Sequence, residues 1–295
     1  RLMDFSLADE RRLLIDTIRR FIREQLAPLE DEVEITGQLA PENARAIRAR
    51  SKALSRALGL YGMNIPEEHG DGGLSAVDTM LCEEQFGHSS DIPNKHFISD
   101  GLVSDFFLVS AVTGDKEISL FLVDKGLPGF AIGCDQPMMG LRGTSHVELW
   151  FDDVVLDADC LLGERGHGFR LAMDVLGRVR LAQVGARAVG KAVHVLEMAV
   201  AYAQERKQFG QPIANFQMVQ QQLADSAIEI NAARWMVLHA AWLLDQGDAR
   251  AARDAIAMVK VQASETLGRV VDRAVQIFGG IGYCKDLAIE RYYRD

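Results

Sequence analysis

The feature that most constrains this chain is the helical period running almost unbroken through residues 169–295. Ala, Leu, Val and Met recur at three- and four-residue steps over 181–204, 217–245 and 251–277. Helices this long and this apolar along one side must bury that side against each other, so an antiparallel bundle is expected. Most of their Met and aromatic side chains then belong to its core. The main break is Gly210-Gln211-Pro212, inside "AYAQERKQFGQPIANFQMVQQQLAD" (201–225). That stretch carries more charge, amide and aromatic character than a plain connection needs. The Gly-rich "GERGHGF" (163–169) fits neither the P-loop nor the dinucleotide fingerprint in its spacing, and reads as a connector.

Residues 6–87 also read as mainly helical. Ser6-x-x-Asp9 forms a capping box, Leu14, Ile18 and Phe21/Ile22 share a face, and Pro28 stops the helix. A second helix is expected over 41–58, then a turn-rich loop, "LGLYGMNIPEEHGDGGLS", and helix again at "AVDTMLCEEQFG". From about 95 to 160 the period shortens. "HFIS", "DFFLVSAV", "ISLFLVD", "FAIGC" and "HVELWFDDVVL" are β-branched or aromatic and separated by Gly, Pro or Asp. In the last, Val147, Leu149 and Phe151 alternate with His146, Glu148 and Trp150, as in a strand buried on one face. The expected fold is therefore mainly α with a central small β domain. Its parts are an N-terminal helical domain (1–92), a middle β domain (93–162) and a C-terminal helical bundle (163–295).

Composition narrows the function. The chain has 295 residues, 48% hydrophobic, enough for a sizeable core. A net charge of −10 would repel a polyanion, so no nucleic-acid partner is expected. Cys82, Cys134, Cys160 and Cys284 form no C-x-x-C pair and read as reduced, mostly buried thiols. The histidines show no H-x-x-x-H spacing, and no metal is expected. No apolar run reaches the roughly 18 residues of a membrane span. The charged opening "RLMDFSLADERRLL" is not a signal peptide, so a soluble intracellular protein is expected.

The order of parts resembles the acyl-CoA dehydrogenase family, and the resemblance becomes specific in short stretches. "YAQERKQFGQPIANFQ" (202–217) is similar to the family's Y-x-x-x-R-x-x-F-G-x-x-(I/L)-x-x-x-Q, and "AVQIFGGIGY" (274–283) to its Q-x-x-G-G-x-G-(Y/F). "NKHFISDG" (94–101) is similar to N-G-x-K-x-(W/F)-I-(T/S)-(N/D)-(A/G), and the loop "LYGMNIPEEHGDGGLS" also matches. The resemblance implies flavin adenine dinucleotide (FAD) as cofactor. Arg206, Phe209, Gln217, Gln276, Gly279 and Gly280 would bind it, with Phe97 and Ser99 beside the flavin ring. The chemistry suits such a ligand. Arg206 offers a forked cation for a diphosphate, Phe209 an apolar wall, Gln217 a donor and acceptor, and the glycines close backbone approach. Taken alone, Arg206 reads more simply as a surface cation paired with Glu205 or an Asp, and Gly279-Gly280 as a helix C-cap, their commoner use.

The resemblance further implies oxidation of an acyl-CoA to the trans-2-enoyl-CoA, with electrons passed to an electron-transfer flavoprotein. It implies a homotetramer in which the 202–217 and 274–283 stretches meet across subunits. The location would be the cytoplasm of a bacterium or the mitochondrial matrix of a eukaryote. Acyl-CoA oxidase, nitroalkane oxidase, reduced-flavin hydroxylase and flavin-free assembly protein are the alternatives on the same scaffold. "LGRVRLAQVGARAVG" resembles the helix with an arginine near the thioester, leaving Arg178 and Arg180 as candidates. Their spacing to Gly190 departs from the family pattern by a residue or more.

Two segments depart further. Near Ser89–Pro93 the family's end of one helix, a further helix, and a flavin-binding strand and loop are missing, which we expect to be an omission from the sequence. No Asp or Glu lies between Val175 and Leu196, where one family position of the catalytic glutamate falls. The base is therefore expected shortly beyond Asp295, with Glu290 reading as a structural glutamate.

Overall fold

The computed structural model describes residues 9–28, 41–58, 60, 63, 73–86 and 99–295. The Ser6 cap, most of the 58–75 loop, Phe97 and the join near Ser89–Pro93 lie outside them. The described chain forms α1 (Asp9–Phe21), a π turn (Ile22–Leu26), α2 (Pro41–Ala57) and α3 (Ala76–Phe86). Strands β1 (Phe106–Gly114), β2 (Glu117–Asp124), β3 (Phe130–Asp135), β4 (Val147–Phe151) and β5 (Leu161–Leu162) follow. Then come α4 (Gly168–Val179), a second π turn (Arg180–Ala186) and α5 (Arg187–Glu205). A hairpin of β6 (Lys207–Gln208) and β7 (Gln211–Pro212) leads to α6 (Gln217–Asp245), α7 (Ala249–Phe278), a 3-10 turn (Gly279–Tyr283) and α8 (Ile289–Arg294).

The three parts read from the sequence gather into two compact units. One draws on Arg1–Asp31, Lys52–Ser90 and Val179–Asp295, the other on Glu32–Ser51 and Asp91–Arg178. In the helical unit the expected bundle forms around small side chains. Ala192, Val195, Ala203, Ala240 and Ala241 are fully buried along α5 and α6, and Val259, Val270 and Val271 along α7. Short side chains let helix backbones approach closely and pack without voids.

The N-terminal helices belong to this bundle because α3 is tied into it. Arg187 Nε donates to Glu83 Oε2 at 2.6 Å, Arg234 Nε to Glu84 Oε2 at 2.9 Å, and Arg19 Nε to Gln85 Oε1 at 2.7 Å. Arg11 pairs with Asp78. The Asp245 carboxylate accepts from Ala76 N at 2.7 Å and Val77 N at 3.0 Å, capping α3 from the far end of α6.

The β unit holds an antiparallel β1-β2-β5 sheet and a β3-β4 pair. The Phe130 ring packs, tilted, 5.1 Å from both Phe107 and Phe151. The expected alternation in β4 holds only in part. Val147 is buried, but Phe151 remains 44% exposed, because β4 pairs with β3 alone as a named strand. Ser99 adds an isolated antiparallel bridge to His146. The 163–169 connector is anchored locally. Gly166 N donates to Ser119 Oγ at 2.8 Å, and Arg165 to the Thr113 carbonyl. The cysteine expectation needs correction. Only Cys82 is buried, where burial pushes its thiol up to about 12; Cys160 is half-buried, and Cys134 and Cys284 are exposed. Cys134 sits on the two-stranded β3-β4 pair and Cys284 follows a surface turn, so neither is covered.

Glu84 gives a pH test. Burial raises its pKa, outweighing the lowering by Arg234. A carboxyl raised in the folded state lends stability at low pH that is lost as pH rises through the folded value. In thermal melts from about pH 4 to about pH 8, Glu84→Gln should therefore gain on the parent as pH rises. The opposite trend would mean that the Arg234 pair outweighs burial.

Candidate functional site

The two stretches singled out in the bundle come together at one junction. Tyr202, in the last turns of α5, stacks on Phe278 at the end of α7, with ring centroids 4.3 Å apart and an interplanar angle of 20°. Its hydroxyl donates to the Phe278 carbonyl at 3.3 Å. The two stretches, expected to contribute halves of one cofactor site across subunits, thus also adjoin within a chain. One chain already joins them, because the α5 and α7 ends pack side by side in the bundle.

From this junction each stretch turns to the surface. Arg206 leaves α5 with extended backbone, its N–H on the Tyr202 carbonyl at 2.8 Å, and its own carbonyl accepts from Ile213 N at 2.8 Å. The β6-β7 turn is formed by Phe209 and Gly210, both left-handed, at φ 54 and φ 83. A bulky aromatic residue is rare in that region. Phe209 is 92% exposed, its ring edge-on to Phe216 at 6.2 Å. Gln217 opens α6 and Gln276 lies in the last turn of α7, both exposed.

Gly279, at φ 68, ends α7, with its N–H directed at the Gln276 and Val275 carbonyls. A Cβ at Gly279 or Gly280 would meet nothing within 4 Å, whereas one at Gly282 would lie 2.8 Å from Phe278 Cβ. Gly282 therefore holds the turn against α7 while Gly279 and Gly280 stay open to the surface. Tyr202 and Tyr283, the latter 87% exposed, belong to this region and were not singled out from the sequence. Their place in the two motifs was the only signal.

Arg206, Arg178 and Arg180 are exposed and make no ion pair among the described residues, so the pairing of Arg206 with Glu205 does not hold there. Ser99 lies in the β unit beside His146. Glu290 is held by Arg294 at 2.7 Å and 3.1 Å and sits largely buried, which fits its structural reading. No group of His, Cys, Asp and Glu that could hold a metal occurs among the described residues, and no described helix is long and apolar enough to cross a membrane.

Comparison with known proteins identifies the family. Three family descriptions match in order: acyl-CoA dehydrogenase N-terminal domain over 8–99, middle domain over 93–154 and C-terminal domain over 166–295. The chain is 32% identical over 367 residues to acryloyl-CoA reductase (NADH) of Anaerotignum propionicum, spanning 99% of this chain and 90% of that protein. It is 42% identical over 205 residues to cyclohex-1-ene-1-carbonyl-CoA dehydrogenase of Geobacter metallireducens, 68% of this chain but only 53% of that one. It superimposes on butyryl-CoA dehydrogenase from Megasphaera elsdenii with a TM-score of 0.84 at 25% identity, over 99% of this chain and 93% of that one. The chain belongs to the acyl-CoA dehydrogenase family. The 367-residue alignment exceeds these 295 residues by 72, so at least that many aligned positions have no counterpart here.

Proposed function

We propose that this protein is an FAD-dependent dehydrogenase that converts an acyl-CoA to its trans-2-enoyl-CoA and passes the electrons to an electron-transfer flavoprotein. The observation that carries the reading is the junction surface. Arg206, unpaired among the described residues, an outward Phe209, two exposed glutamines and an open Gly279-Gly280 backbone gather where α5 and α7 end. That set suits a dinucleotide. Arg206 holds a phosphate bidentately, Phe209 walls an apolar ring, and Gln217 and Gln276 supply amide donors and acceptors. Ser99, with Phe97, is proposed beside the redox-active ring. A bound flavin would supply the acceptor for hydride from the substrate's β-carbon, held there by these residues. The protein orients the thioester, excludes water and removes the α-proton with a carboxylate raised by burial.

Arg206→Ala should weaken FAD binding by roughly 1.5–3 kcal/mol, the size of a charge-assisted contact. Flavin titration of the apoprotein measures it, and unchanged affinity would remove Arg206 from the site.

The base is proposed as a glutamate downstream of Asp295. Glu290, held by two contacts to Arg294, is read as a structural glutamate and not as this base. Changing the downstream glutamate to Gln should abolish bleaching of the flavin by acyl-CoA; parent-rate bleaching would place the base elsewhere.

A homotetramer accompanies this reading. Ile228, Met258 and Val261 are between 52% and 67% exposed on the long helices α6 and α7, an apolar surface that further copies would cover. Light scattering should give four times the chain mass, and a monomer retaining FAD would refute the assembly. The relative named acryloyl-CoA reductase (NADH) favours one second reading, the same bond change run as a reduction. Consumption of NADH with acryloyl-CoA distinguishes the two directions.

A further inference from the structure

The first strand of the β unit is an open edge. β1 pairs with β2, and among the described residues no named strand lies on its other side. One step beyond the Phe106–Asp124 pair, the Lys125 N–H meets the Asp105 carbonyl at 2.9 Å. Hydrogen-bonded pairs alternate along an antiparallel ladder, so Phe107, Val109 and Ala111 carry the bonds to β2. The N–H and C=O groups of Phe106, Leu108, Ser110 and Val112 therefore point away from the sheet. Their side chains share one face, where Phe106, Leu108 and Val112 are 56%, 63% and 78% exposed.

Edge strands are ordinarily guarded by charge, by proline or by shortness. β5 has two residues, β3 ends in Asp135, and β4 carries Glu148. β1 is the longest described strand, at nine residues, and Phe106–Gly114 holds neither charge nor proline. Its one guard is the register shift between Val112 and Gly114. The Thr113 carbonyl beyond is taken by Arg165. Regular pairing on the open edge is thus confined to 106–112.

We propose that β1 docks on the same strand of a second copy, antiparallel about a two-fold axis at Val109. That register uses the whole regular stretch. Val109 faces the partner's Val109, Phe106 lies opposite the partner's Val112, and Leu108 opposite the partner's Ser110. Every outward N–H and C=O group of 106–112 then has a partner. The Phe106–Val112 contacts, made twice by symmetry, are aromatic–β-branched pairs of the kind that stabilise sheets. Charge favours a second copy as the occupant. Two chains at −10 repel over most of their surface, and an uncharged strand is where they can approach. A charged partner would find no counter-charge there. One pair of strands covers less than the roughly 1,200 Å² of a standard interface, so the contact is weak and fills with concentration. It belongs to the β unit, whereas Ile228, Met258 and Val261 belong to the helical one. The pairing does not rest on the dehydrogenase reading.

Light scattering over a concentration series tests the contact. The parent's mass should rise about twofold above its dilute value, as a two-fold contact requires. Leu108→Lys with Val112→Lys changes two exposed side chains, and should hold the dilute mass with an unchanged circular dichroism spectrum. A parent mass independent of concentration overturns the proposal, as does a lysine variant that associates like the parent. Cross-linking tests the register without the lysines, in a chain with Cys134, Cys160 and Cys284 changed to Ser. Phe106→Cys mixed with Val112→Cys should give a disulfide dimer under mild oxidation, because directly opposed residues lie about 5.5 Å apart. Either variant alone should not, since its two cysteines would be about 20 Å apart. No dimer from the mixture, or equal cross-linking by either variant alone, overturns the pairing.

Discussion

The helical unit depends on one awkward element, the short helix α3. Its sequence, AVDTMLCEEQF, has no polar stripe to turn toward water, and Glu84 and Gln85 are buried together with Met80, Leu81 and Cys82. Burying carboxylates is costly unless each meets a cation, and a pair broken on one side costs about 3–5 kcal/mol. The bundle meets that condition with arginines from three directions: Arg11 and Arg19 from α1, Arg187 from α5, Arg234 from α6. Arg187 also lies 5.9 Å over the Phe86 ring, and Asp245 caps the first turn of the helix. These contacts specify orientation as well as position. A slip of α3 by one residue would strand Glu83 and Glu84 together.

α3 thus ties α5 to α6, and α5 and α7 meet at the ends that carry the proposed site. The Tyr202–Phe278 stack is the consequence that matters most, since it sets two loops of different sequence origin beside each other. Each loop then bends by a left-handed residue, Phe209 and Gly210 in one, Gly279 in the other. The rigid part is helical and the ligand-facing part is turn backbone, as expected where a backbone must approach a ligand closely.

The fold was legible where periodicity is strong. The long helices of 169–295 and the strands over 106–151 emerged near their expected bounds, because apolar spacing reports which side is buried. Contacts between distant residues were not legible. Nothing in the spacing of Tyr202 and Phe278 reveals that they stack within one chain. The polar contacts of α3 were equally hidden, since the partners of Glu83, Glu84 and Gln85 lie between 66 and 150 residues away. Cysteine burial was misjudged because residue type gives only a preference, while Cys134 and Cys284 follow from local strand pairing and turn geometry. The site residues came from motif resemblance; their exposure and lack of ion pairing came from the structure.

Charge bookkeeping separates the two kinds of arginine in this protein. Acidic residues outnumber basic ones, 42 to 32, so an arginine left alone is not alone for want of carboxylates. Those at helix seams are taken up: Arg187 by Glu83, Arg234 by Glu84, and Arg269 and Arg273 together by Glu229, whose carboxyl they hold below its usual range, Arg273 foremost. Arg178, Arg180 and Arg206 remain exposed and unpaired among the described residues, on the two stretches where the family resemblance expects anionic ligands. An intramolecular partner would compete with a ligand for the same guanidinium face, and separating such a pair would subtract from the binding energy. Arginines without an ion pair in an acid-rich protein are therefore an arrangement that suits the phosphate-bearing ligands proposed, despite the net charge of −10.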